Sequence, residues 1–261
     1  MMVTFARRLA AAILCGAVVA TAAACAAPTT AGERKTYVIY SDNAFAPFEF
    51  LDQTTNTYTG LDLDLLTAIG ADQGITFDVK NEGFDAAMGA VQSGQADGMI
   101  AGMTITDERK KTFDFSDGYF EDGQVLVVPA DSAASSLDDL RGKVVAVKAS
   151  TQGAQYAESV KNQYGFTTQV YEDSPTMYAA VQNGTNAACF EDRSVVGWAI
   201  KQGKVQLKTV GRTLQPGQYG FAVKKGNNPE LVEKFNAGLA HLRQTGDYQK
   251  ILDKYGLATQ G

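Results

Sequence analysis

Residues Ala90–Ile100 read AVQSGQADGMI, and Ala180–Phe190 read AVQNGTNAACF. Both begin Ala-Val-Gln-x-Gly, so each predicts a helix that stops at glycine and a short apolar strand after it. The succession around the two copies is also alike. Near the first, TYVIYS (36–41) and ITFDVKNE (75–82) are strand-like, and GLDLDLLTAIGADQG (60–74) is a helix ended by glycine. DAAMGAVQSGQ (85–95) is the next helix and ADGMIAG (96–102) the next strand. Near the second copy, KVVAVKAS (143–150), GAQYAESVKNQYG (153–165), TTQVYE (167–172), PTMYAAVQNG (175–184) and NAACFE (186–191) repeat the alternation. Two α/β lobes follow, with their functional loops at the carboxyl ends of the strands.

The chain passes between the lobes at DGYFEDGQV (117–125) and LQPGQYGFAV (214–223), where glycine is mixed with extended-type residues. Both read as hinge strands, so the first lobe is discontinuous and relative motion is a bend about one axis. The expected first lobe is 36–119 with 220–261, and the second is 120–219. NPELVEKFNAGLAHLRQTGDYQKILDKYG (228–256) reads as helices that need a lobe to pack on.

The 261 residues are 45% apolar, ample for such a core, and the formal charge of -6 offers no basic field for nucleic acid. Residues 1–24 have the basic start (Arg7, Arg8), apolar run and small-residue end of an export signal. Cys25, after Ala22-Ala23-Ala24, resembles a bacterial lipoprotein cleavage box, in which the cysteine becomes the lipidated first residue. Plain cleavage with secretion is the alternative. Residues 25–35 then form a tether to the membrane. With Cys15 removed and Cys25 acylated, Cys189 is alone and no disulfide framework can form.

The loops carry the chemistry. SDNAFAPFEF (41–50) offers the Asp42 carboxylate and the Phe45 ring, with Phe48 and Phe50 read as core. Phe84 stands in the equivalent loop of the next strand, so Phe45 and Phe84 could sandwich a small apolar stem; core packing is the equal alternative for either ring alone. In AGMTITDERKKTFDFSDGYF (101–120), Thr106 is a helix N-cap with Asp107 and Glu108 in the first turn. Arg109 gains nothing from that dipole. Its planar fork suits bidentate capture of a carboxylate, with backbone donors near Ala101–Thr104 adding to the same anion. A surface Arg109 paired with Asp107 is the alternative. In the second lobe, Asp192 can accept an ammonium, and Lys148 ends another strand before a polar turn. One lobe traps a carboxylate and the other an ammonium, which fits a free α-amino acid. Contacts of roughly 1.5–3 kcal/mol each can together reach micromolar affinity, about -8 kcal/mol.

These stretches, with GKVVAVKASTQG (142–153) and QYGFAVKKG (218–226), resemble the amino-acid-binding extracytoplasmic receptors of ABC importers, and among them the glutamine-binding proteins. The resemblance implies a two-lobed periplasmic-binding-protein fold closing on one amino acid, L-glutamine being favoured. It implies that Arg109 binds the α-carboxylate with the backbone of Thr104 and Gln152. It implies that Asp192, the Gly102 carbonyl and the Thr104 hydroxyl hold the ammonium, beside Ala101. Phe45 and Phe84 would flank the stem, and Asp42 and Lys148 would face the side-chain amide. The implied partners are an ABC permease and, through the lipid, the extracytoplasmic face of the membrane. A monomer without cofactor, metal or nucleic acid is expected.

Glu191 departs from the glutamine receptors, where histidine precedes the aspartate, and an inward Glu191 would favour a cationic ligand. A dehydratase is the rival class, because a cyclohexadienyl dehydratase resembles this fold. Against it, the single histidine, His241, lies in the terminal helix, and no nucleophile elbow is present. Asp62 and Asp64 open a helix, where the dipole favours acids over a metal pair.

Overall fold

The computed structural model describes residues 34–257. The expected export signal, Cys25 and most of the expected tether lie outside the described residues. In chain order the elements are β1 (Thr36–Ser41), β2 (Ala44–Phe45), β3 (Glu49–Asp52), β4 (Thr57–Thr59), α1 (Leu61–Gln73), β5 (Thr76–Asn81), α2 (Phe84–Ser93) and β6 (Gly98–Met99). β7 (Phe113–Phe115), β8 (Phe120–Pro129), β9 (Val144–Lys148), α3 (Gln152–Tyr164), β10 (Thr167–Tyr171), α4 (Ser174–Gln182) and β11 (Ala188–Asp192) follow. The chain continues through α5 (Arg193–Lys201), β12 (Leu207–Tyr219), β13 (Ala222–Lys224), α6 (Pro229–Thr245) and α7 (Asp247–Lys254).

Two five-stranded sheets form the lobes, in the orders β5-β1-β6-β13-β7 and β10-β9-β11-β8-β12. The repeated sequence makes the same turn in each. After α2, the Gln95 and Ala96 amides donate to the Ala90 carbonyl, and Asp97 then joins β1 through Val38. After α4, the Asn186 amide donates to the Ala180 carbonyl, and Ala187 joins β9 through Val144. Gly94 (φ +83°) and Gly184 (φ +78°) occupy the left-handed conformation that lets the chain reverse there. The strands that follow, β6 and β11, then lie parallel to β1 and β9. Four shared letters thus encode one helix-to-strand junction used twice.

β8 and β12 pair antiparallel, with Phe120 opposite Tyr219 and Asp122 opposite Gly217. From there the chain enters the first sheet through β13, which pairs with β6 and β7. The terminal helix α6 packs on the first lobe. Phe235 stacks on Phe221 at 4.8 Å, and Leu239 joins Leu61, Leu65 and Ile69 of α1 in one buried cluster. Each such side chain contributes about 1.5–3 kcal/mol by leaving water.

Three local readings need correction. Thr106 does accept from the Arg109 amide (3.2 Å), but it starts only a 3₁₀ turn over Arg109–Lys111. The alternating Phe113-Asp114-Phe115 is drawn into the sheet edge as β7 and ends the turn at once. Phe50 is half-buried rather than core, its ring 5.4 Å from that of Trp198 in the other lobe. Asp62 is fully buried, accepting from the Gly102 amide (2.9 Å) and the Tyr119 hydroxyl (2.7 Å), while Asp64 pairs with Lys254 at 2.6 Å. Placement in the first turn of α1 is right for both acids, but the helix dipole does not account for the contacts of either.

Candidate functional site

The carboxyl ends of the strands of both sheets meet at one cavity. It is narrow and lined by Phe45, Phe84, Ala101, Gly102, Thr104, Arg109, Lys148, Thr151, Gln152 and Asp192. Nine of the ten residues singled out from the sequence are therefore brought together. The tenth, Asp42, stands behind this wall. Thr151, the side-chain N-cap of α3, was not singled out, although Ser-Thr-Gln before a helix is a legible capping signal.

Arg109 reaches the cavity because its neighbours release it. Asp107 and Glu108 pair with Lys110 and Lys111 on the surface, so the surface-pair alternative for Arg109 does not hold. The guanidinium donates through Nη1 to the Thr104 carbonyl (2.9 Å) and through Nη2 to the Ser150 carbonyl of the second lobe (3.0 Å). It lies 5.3 Å from the centre of the Phe84 ring. Burial pushes it down to about 10, with Asp192 acting in the opposite direction, so it stays cationic at neutral pH.

Gly102 has φ +52°, and a β-carbon there would stand 2.4 Å from the Phe45 ring. Only glycine lets the wall approach so closely. Thr104 is held against Tyr219 by a β-bridge, so the first-lobe wall is tied to the crossing strand.

Asp192, at the end of β11, accepts from Gln124 Nε2 (2.7 Å). Burial first, then Asp122 and Glu191, hold its carboxyl well above the ordinary range. Asp122 lies on β8 and accepts from the Ser194 amide and the Tyr219 hydroxyl. A cation entering the cavity would relieve this crowding of acids.

Lys148 and Asp42 form a buried ion pair between the lobes. Asp42 was expected to face a ligand amide, but its oxygens are already engaged. Oδ1 accepts from the Asn43 (2.6 Å) and Ala44 (3.3 Å) amides, and Oδ2 accepts from Lys148. A buried carboxylate takes the partners within reach. The Lys148 ammonium also sits 4.6 Å from the Phe45 ring centre and 5.8 Å from that of Phe84. Burial pulls Lys148 down, but Asp42 and Glu191 outweigh it and the ammonium stays above its usual value. Glu191 is turned away from the cavity, accepting from its neighbour's Asp192 amide and from the Tyr178 hydroxyl, both at 2.9 Å.

Direct contacts hold the lobes together around this cavity. They include Asp42–Lys148, Arg109–Ser150, and Ser150 Oγ donating to Asp85 at 2.6 Å. Among the described residues, no group of three or more His, Cys, Asp or Glu is arranged to hold a metal ion, and no helix is long and apolar enough to cross a membrane.

The chain is 33% identical over 236 residues to a probable histidine-binding protein of Neisseria gonorrhoeae, covering 88% of this chain and 86% of that one. An ancestral arginine-binding protein, solved with arginine, is 36% identical, with a TM-score of 0.79 over 85% of this chain and 99% of that chain. The second substrate-binding domain of Lactococcus lactis GlnP, in an open conformation, is 44% identical over 85% and 96% of the two chains, yet has a TM-score of 0.61. Higher identity with poorer superposition is what two lobes produce when each keeps its fold and their angle changes. The model of the bacterial extracellular solute-binding proteins, family 3, matches residues 37–258, and the chain belongs to that family.

Proposed function

We propose that the protein is the exported receptor of an ABC amino-acid importer and that its preferred ligand is L-glutamine. The observation that carries this reading is one narrow cavity lined by both Arg109 of the first lobe and Asp192 of the second. Arg109 takes the α-carboxylate, with the amides of Thr104 and Gln152. Asp192, the Gly102 carbonyl and the Thr104 hydroxyl take the ammonium. Lobe boundaries at 119–120 and 219–220 are part of this reading, which is supported by β8 beginning at Phe120 and β12 ending at Tyr219.

Phe45 and Phe84 flank the ligand stem beside Lys148. The Lys148 ammonium can donate to an amide oxygen, and its pairing with Asp42 leaves little net charge to attract a fully charged side chain. A neutral amide suits such an end. Relatives named for histidine, arginine, glutamine and cystine show how readily this property changes within the family. The ancestral protein has also been solved with glutamine. Calorimetric titration of the ligand-stripped protein with all twenty amino acids is expected to place glutamine first, asparagine and glutamate behind it, and cationic amino acids last. Arginine or histidine binding more tightly than glutamine would overturn the ranking, and no amino acid binding would overturn the receptor itself.

Cys25 is the lipid anchor in this reading. Cys25→Ala is expected to move the protein from the membrane to the soluble fraction, and an unchanged distribution would refute anchoring.

A further inference from the structure

Behind the cavity wall lie two buried acids that no contact to ligand explains. Glu49 of β3 and Asp62 of α1 are both fully buried. They are neighbours, because the Asp62 amide donates to the Phe48 carbonyl. Neither oxygen of Glu49 finds a donor within the chain, and Asp62 Oδ1 finds none either. Asp62 Oδ2 has two, the Gly102 amide and the Tyr119 hydroxyl. Three orphan carboxylate oxygens in one buried place are too costly to be left unmatched, and two adjacent ionised acids there would repel. One proton removes the repulsion and pairs two of the three oxygens.

We propose that Glu49 and Asp62 share a single proton, Glu49 donating it to Asp62 Oδ1, and that the pair fixes the Ala101–Gly102 peptide in the cavity wall. Asp62 is the ionised partner because it accepts the two strong donors, while Glu49 accepts none. The Gly102 amide is anchored on Asp62 Oδ2, which sets the plane of the Ala101–Gly102 peptide and holds the Gly102 Cα, from which the next peptide presents the Gly102 carbonyl. Glu49 is thus a positioning residue acting through Asp62. The role assigned to the Gly102 carbonyl rests on the receptor reading above; the proton itself does not.

The groups facing Glu49 are Asp62 from α1, Asp42 from the turn after β1, Lys148 from β9 of the other lobe, and Tyr119 just before β8. Burial first, then Asp62 and Asp42, raise the Glu49 carboxyl well above its ordinary range, with Lys148 opposing. Burial likewise raises Asp62, to about 6. A carboxyl raised in the folded state contributes stability that is fully present below the unfolded value. That contribution is lost as pH rises towards the folded value.

The test compares wild type, Glu49→Gln and Glu49→Leu by thermal unfolding from pH 5 to pH 9, with glutamine titrations at pH 7 and pH 9. The glutamine amide N–H replaces the shared proton at every pH. Glu49→Gln should melt with the wild type at pH 5 and at least about 2 °C above it at pH 8.5. Its affinity at pH 7 should be rescued to within about threefold of wild type. Wild-type affinity should fall at least threefold from pH 7 to pH 9, and that loss should be smaller in Glu49→Gln. Glu49→Leu, with no donor, should melt below both at pH 7. A difference between wild type and Glu49→Gln that stays constant from pH 5 to pH 9 would overturn the shared proton. A wild type that binds no amino acid would instead refute the receptor reading and leave the unfolding comparison intact.

Discussion

Asp192→Asn is expected to weaken amino-acid binding about a hundredfold at neutral pH, because a ligand ammonium would then be buried without its counter-charge. The asparagine can keep the hydrogen bond from Gln124, so the loss would report charge rather than shape. The wild type should show a matching dependence on pH. Asp192 is held well above its ordinary range by burial, then by Asp122 and Glu191, and must be ionised to meet the ammonium. Lowering the pH protonates it, so affinity should fall from pH 7.5 to pH 5. Binding near neutrality should release protons to the buffer. Calorimetry in buffers of different ionisation enthalpy measures both effects. Near-native affinity in Asp192→Asn would remove this residue from the site.

Arg109→Lys should weaken binding at least tenfold, or about 1.4 kcal/mol. The guanidinium already spends two donors, one on the Thr104 carbonyl and one on Ser150 across the cleft. Its remaining donors can still face a carboxylate in the same plane. A lysine ammonium is a single compact point and cannot hold both carbonyls and a bidentate carboxylate together. The variant therefore loses a ligand contact or a contact between the lobes. Titration with glutamine measures the sum. Small-angle scattering of the ligand-bound protein would reveal an opened cleft if the Ser150 contact is the one lost. Unchanged affinity would show that Arg109 has no part in binding.

Much of this was legible in local sequence. The Ala-Val-Gln-x-Gly echo, the glycine helix stops and the two glycine-bearing crossings are short-range signals. They fix element type and order wherever hydrophobic period and left-handed glycine agree. Arg109 stood out because no local force explains a cation just inside a turn rich in acids. The family resemblance supplied the roles of Phe45, Phe84 and Gln152, which periodicity alone leaves open. What remained hidden depends on residues far apart in the chain. Asp42 looked free for a ligand, yet Lys148 of the other lobe claims it. Phe50 looked like core until Trp198 met it from the far side. Asp62 read as an acid favoured by the dipole at a helix start, and folding placed it beneath the cavity with Glu49. A sequence displays charge and pattern along the chain. The cost of burying a charge, and the partner that offsets it, are set only when the lobes come together.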